Sequence, residues 1–148
     1  MLDKQLVYKT LKTELMGRIH RIQVQFDELQ KSLTNETKSS AGDKHETGRA
    51  MAQLEQEKLS KSLNQMTLLR SALAKVNPED EHSIIQYGSL VKSSRGYFFF
   101  SVGLGQIDVG SETVFCLTAT SPMGQQLLGK SKGDSVQMSG QIEILDLI

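Results

Sequence analysis

The chain has no tryptophan, one cysteine and two prolines among its 148 residues, and only 5% of them are aromatic. A lone cysteine, Cys116, cannot close an intrachain disulfide, and no metal-ligand spacing surrounds it. It reads as a small buried apolar residue, and the lack of a disulfide framework fits a reducing compartment. Excess charge of either sign is missing as well. The 17 basic and 17 acidic residues balance, so no global field draws the chain onto DNA or an anionic membrane. Long apolar runs are absent. Residues 1–21 mix charges with spaced leucines, unlike a signal peptide, and nothing approaches the ~20 apolar residues that span a bilayer. We therefore expect a cytoplasmic protein with no direct sequence-specific DNA binding and no membrane partner.

What is present falls into two halves. Up to Asn77-Pro78, glycine occurs only at Gly17, Gly42 and Gly48. Beyond that point glycine is frequent, and β-branched and aromatic residues cluster. Because Pro78 also biases Asn77 away from helix, we place the boundary here, with a helical domain over 1–76 and a β-rich domain over 80–148.

In the first half, Leu15, Ile19, Ile22, Phe26, Leu29 and Leu33 follow spacings of four, three, four, three and four. This is the seam of a helix packed along one partner helix. Met51, Leu54, Leu59, Leu63, Met66, Leu69 and Leu73 form a second, looser series. Between them, Thr34–Gly42 has no apolar period and reads as a loop. Two such helices bury each other as an antiparallel hairpin. At ~1.5 Å per residue, a first helix of about 30 residues is on the order of 45 Å long, which exceeds what a small core needs. A bundle or a coiled-coil dimerisation arm is the other reading of the same pattern.

In the second half, strands are expected near 84–92, 97–102, 113–119, 135–138 and 141–147. Ser121 suits an N-cap, Pro122 the first helical position and Gly129 the residue past the helix end, with Leu127 and Leu128 expected in the core. The fold class is α+β, with one short helix among four or five antiparallel strands.

The segment Ser121-Pro122-Met123-Gly124-Gln125-Gln126-Leu127-Leu128-Gly129-Lys130, followed by Lys132-Gly133-Asp134-Ser135-Val136, resembles the C-terminal signature of the Gre transcript-cleavage factors. The likeness is close over about the last third of the chain and architectural over the hairpin. It implies an N-terminal antiparallel coiled coil that enters the secondary channel of bacterial RNA polymerase. It also implies an FKBP-like β domain that docks near the channel mouth through the loop carrying Ser121, Pro122 and Met123. Such factors act as monomers with no cofactor of their own, lending tip carboxylates that help hold a second Mg²⁺ in the polymerase active site.

The acids nearest this tip are Glu36, Asp43 and Glu46. Aligning Asp43 with the family's later acidic residue puts Thr37 and Ser40 where the acidic pair belongs, and Lys44 where an aromatic is usual. A shifted loop would instead bring Glu36, Asp43 or Glu46 to the polymerase active site, where Asp43 and Glu46 would share its Mg²⁺. Asp43-Lys44-His45-Glu46 also has the spacing of a capping box opening the second helix, so tip chemistry and capping both remain open. His45 lacks further ligands at metal-site spacing. Arg18, His20, Arg21, Lys31, Lys58, Lys61 and Arg70 make either a basic face on the hairpin or a solvated flank among glutamates. Three functions follow, none autonomously enzymatic: a cleavage-stimulating elongation factor, a non-cleaving channel regulator, or a coiled-coil interaction protein. Prolyl isomerisation is disfavoured, because neighbours in Tyr97-Phe98-Phe99-Phe100 point to opposite faces of a strand.

Overall fold

The computed structural model describes the backbone of residues 1–37 and 43–148 and the side chains of residues 1–35 and 46–148. Of the expected Thr34–Gly42 loop, residues 34–37 instead continue the first helix, whose side-chain-to-backbone bond from Thr34 to Gln30 fits a further helical turn, and residues 38–42 lie outside the described residues. The chain forms two compact units, one comprising Met1–Glu14 with Arg70–Ile148, the other Leu15–Leu69.

Two helices account for the first half: α1 over Lys4–Thr37 and α2 over Asp43–Leu73. Both are rich in Leu, Lys, Gln and Glu, which lose little freedom in a helix, and neither contains proline. In the Leu15–Leu69 unit the α1 seam behaves as its spacing requires. Leu15, Ile19 and Leu33 are buried, and Ile22, Phe26 and Leu29 are half-buried. The facing seam on α2 differs from the expected one. Met51 and Leu54 are 67% and 65% exposed, whereas Ala52 and Gln56 point inward, followed by Leu59, Leu63 and Met66. A small and a polar residue take the first seam positions, so the apolar series strays outward at Met51 and Leu54 and follows the inward face from Leu59 to Leu73. The Gln56 side-chain amide donates to Gln30 Oε1 at 2.5 Å, pairing α2 with α1 across the hairpin.

The other unit is built on a six-stranded sheet. Its strands are β1 (Leu90–Ser93), β2 (Gly96–Phe100), β3 (Gly105–Val109), β4 (Glu112–Leu117), β5 (Ser135–Gln137) and β6 (Gln141–Leu147), in the order β3-β4-β2-β1-β6-β5. All neighbours are antiparallel except β2 and β4. The chain passes outward to β3 and returns through β4 into the place beside β2, which forces that one parallel pair. This corrects the all-antiparallel expectation. Two further differences concern the elements themselves: β3 is an additional strand, and residues 84–89 lie outside β1.

Register divides the aromatic run between two faces. Tyr97 and Phe99 share one face with Leu90, Ile107, Val114 and Cys116. Phe98 and Phe100 share the other with Val91, and they join Ile85, Leu127, Val136, Ile142 and Ile144 in one core cluster. Both faces of β2 are thus buried. The remaining buried apolar side chains of this unit include Val7 and Leu11 in the first turns of α1, Leu73 at the end of α2 and Val76 just beyond it. Cys116 is buried, and desolvation pushes its thiol up to about 12, so it is protonated and inert at neutral pH.

Polar contacts tie the same helix ends to the segment after α2. Lys4, 2% exposed, donates from Nζ to the Asp80 carbonyl at 2.6 Å, and the Tyr87 hydroxyl donates to the Ala72 carbonyl in the last turn of α2. Burial pushes Lys4 below the usual lysine range, while the Asp80 and Glu81 carboxylates oppose that shift. The Gln86 N–H donates to Ser89 Oγ at 3.0 Å, and that oxygen lies 2.8 Å from His82 Nδ1.

Candidate functional site: an apolar groove beside the Ser121 loop

The short helix α3 (Pro122–Leu127) is placed by its first residues. Ser121 is extended at φ −66° and ψ 155°, and its Oγ accepts from the Gly124 N–H at 3.1 Å. The same hydroxyl donates to the Thr118 carbonyl at 2.7 Å. Ser121 therefore caps the helix and pins it to the chain leaving β4. Pro122 follows at the first helical position, where its missing N–H is not needed. Gly124 makes the closest approach: a Cβ added there would lie 1.9 Å from the Thr118 carbonyl oxygen. Glycine is what lets α3 sit this low. Gly129, at φ +80°, supplies the left-handed turn after the helix.

The expectation for the two leucines divides. Leu127 is fully buried, but Leu128 is 46% exposed. Leu128 caps the helix with a ψ of 131°, and a helix this short buries one stripe only.

With α3 held there, Ser121, Pro122 and Met123 line a groove of about 370 Å³ together with Phe98, Phe115 and Met138. The Phe98 and Phe115 rings lie 5.9 Å apart, tilted by 38°, a favourable aromatic geometry. Phe115 is 39% exposed although it sits on the core-bearing face of the sheet. The groove is thus a place where that face stays open. It can bind an apolar side chain or a short apolar segment, and it has no chemistry of its own. Ser121, Pro122 and Met123, the three residues expected to dock, line the same groove. Sequence reasoning missed Phe98, Phe115 and Met138. The signal for the first two lay in the pairing of β2 with β4, which puts Phe98 beside Phe115.

The tip acids are a separate matter. The side chains of Glu36 and Asp43, like Thr37, Ser40, Lys44 and His45, lie outside the described residues. The proposed capping box therefore lies outside them too. Glu46 is exposed on α2. Among the described residues no three His, Cys, Asp or Glu side chains are grouped to hold a metal ion. Nearby on the hairpin, Gln30, Leu33, Thr34, Arg49, Gln53 and Gln56 line a crevice of about 230 Å³. It is polar where a coiled coil is normally apolar. The expected basic face is exposed at His20, Arg21, Lys31, Lys58, Lys61 and Arg70 and half-buried at Arg18.

Among the described residues, no helix is long and apolar enough to cross a membrane. No protein-family model matches the chain, and no curated protein matches it. Among solved structures it is similar to that of "the transcription factor Gfh1", with 22% sequence identity, 94% of each chain covered and a TM-score of 0.41. Likeness at that level does not assign a function.

Proposed function

We propose that this chain is an RNA-polymerase-binding transcription factor of the Gre type. Residues 1–76 act as the hairpin that enters the secondary channel, and residues 80–148 act as an FKBP-like docking domain. The observation that carries the reading is the Ser121-Pro122-Met123 loop. The segment resembling the Gre signature begins there, and those three residues line an open apolar groove. That combination suits a docking loop, whereas a mere helix start needs no neighbouring groove. Further support comes from helix length. At ~1.5 Å per residue, the 34 residues of α1 extend on the order of 50 Å.

On this reading Glu46, with Glu36 and Asp43, approaches the polymerase active site, and Asp43 and Glu46 contribute to the hold on its second Mg²⁺. Two metals stabilise the attacking and leaving oxygens in such a reaction. Thr37 and Ser40 at the usual acidic positions favour a second version, a channel-occupying regulator that does not promote cleavage.

The test is RNA cleavage in a backtracked elongation complex, with polymerase binding measured in parallel. Faster release of short 3′ RNA, lost in an Asp43→Ala, Glu46→Ala double variant, establishes a cleavage factor. Binding without acceleration establishes the regulator. Met123→Asp is expected to weaken polymerase binding in either case. Absence of binding by the native chain overturns the proposal.

A further inference from the structure

The outward face of α2 carries a second heptad pattern. Met51, Leu54, Lys58, Lys61, Gln65 and Leu68 follow spacings of three, four, three, four and three. At 3.6 residues per turn this stripe lies roughly 150° around the helix from the inward seam. All six residues are exposed. The three apolar ones are 67%, 65% and 70% exposed at Met51, Leu54 and Leu68, against 9% for Leu59 on the inward seam. Spacing of three and four sets all six on one helix face, as at a seam with a partner helix, with Met51 and Leu54 together at one end and Leu68 about 20 Å along the helix at the other. Neither Lys58 nor Lys61 has an ion-pair partner among the described residues.

We propose that this face docks an α-helix contributed by another protein. The partner's contact stripe carries apolar residues at both ends and carboxylates between them. Charge complementarity specifies it: Lys58 and Lys61 occupy the centre of the stripe, and Glu55 and Glu57 flank it, calling for basic residues on the partner's edges. A second copy of this chain is the wrong occupant. Packed antiparallel about the stripe's centre, two copies set Lys58 against Lys61, and in parallel they set each lysine against itself. A bilayer is also the wrong occupant, because an interfacial helix keeps its apolar stripe unbroken and its lysines on the polar face. The proposal does not rest on polymerase binding.

The experiment uses the full chain and a labelled synthetic helical peptide. The peptide places leucines opposite Met51, Leu54 and Leu68 and glutamates opposite Lys58 and Lys61. Fluorescence anisotropy is expected to show saturable binding, weaker by at least about tenfold for a peptide with lysines in place of those glutamates. A Leu54→Gln, Leu68→Gln variant should lose binding. A Lys58→Glu, Lys61→Glu variant should reverse the preference and take the lysine peptide, a gain that misfolding cannot mimic. The proposal is overturned by no binding, by equal binding of both peptides, or by a charge-reversed variant that keeps the original preference. It is also overturned if anionic phosphatidylserine vesicles take up the chain through Leu54 and Leu68, or if the chain alone sediments as a dimer that those two substitutions dissolve.

Discussion

The β unit and the hairpin unit bury their apolar residues to different degrees. In the β unit, Phe100, Leu127, Ile142 and Ile144 are each at most 1% exposed and sit in one continuous cluster. Among the described residues of the Leu15–Leu69 unit, the buried apolar side chains are Leu15, Ile19, Leu33 and Leu59, and a glutamine pair occupies a place where apolar contact is usual. Close packing makes the first region intolerant of lost volume. The second holds a narrow seam whose members remain half-solvated. A hairpin that presents residues outward along its length cannot bury them, whereas the groove beside Ser121 is an opening held on the more closely packed unit.

Removing a large core side chain tests that contrast most strongly. Phe100→Ala should destabilise the β unit by about 3–5 kcal/mol, read as a drop in the urea midpoint. In the hairpin, Leu59→Ala should cost less, about 2 kcal/mol, because the seam is partly open to water and can relax. If the two losses are equal, the contrast between the regions fails.

Gly124→Ala attacks the β unit from its surface. A methyl group 1.9 Å from the Thr118 carbonyl must push α3 away from β4, since the opposing atom is backbone. We expect a loss of about 1–3 kcal/mol, as for an overpacked core, together with loss of the groove lining formed by Ser121, Pro122 and Met123. An unchanged melting temperature would show that α3 shifts without strain.

On α2 the prediction is a difference between adjacent positions. Leu54→Ala should fall within about ±0.5 kcal/mol of the native chain, as exposed substitutions do, whereas Leu59→Ala should not. Thermal melts of the two variants decide which face of α2 is the seam. This is also the point at which sequence reading failed. The α1 seam was legible in full because every position from Leu15 to Leu33 is a large apolar residue. The α2 seam was not, because Ala52 and Gln56 carry no hydropathic signal while Met51 and Leu54 carry a false one. Strand β3 was missed for a related reason: Gly105, Gln106 and Asp108 are poor strand formers, and pairing along β4 overrides their preference. At the candidate site, the cap, the proline and the terminal glycine of α3 were each legible as local chemistry. The groove was not, because it depends on β4 returning beside β2 and on Met138 arriving from far along the chain.

The smallest effect concerns protons, at the junction of helix ends and β unit. His82 lies 2.8 Å from Ser89 Oγ, and that oxygen already accepts from the Gln86 N–H. The Ser89 hydroxyl hydrogen is therefore available to donate to His82 Nδ1, an arrangement that needs the neutral ring. Burial lowers the His82 pKa, the positive charge of Lys4 lowers it further, and Asp80 acts in the opposite sense without reversing the shift. Because the folded pKa lies below the unfolded one, the unfolded chain takes up the proton first. Stability is then full above the ordinary histidine pKa of about 6.5, and it declines as pH falls through the folded value. The urea midpoint should drop between pH 7.5 and pH 5, and His82→Gln should flatten the part of that slope due to this ring. Because the buried Lys4 ammonium helps keep the ring neutral, Lys4→Met should also reduce the slope. If His82→Gln leaves the slope intact, the pH dependence belongs to the carboxylates, and the Ser89 contact does not select the neutral imidazole.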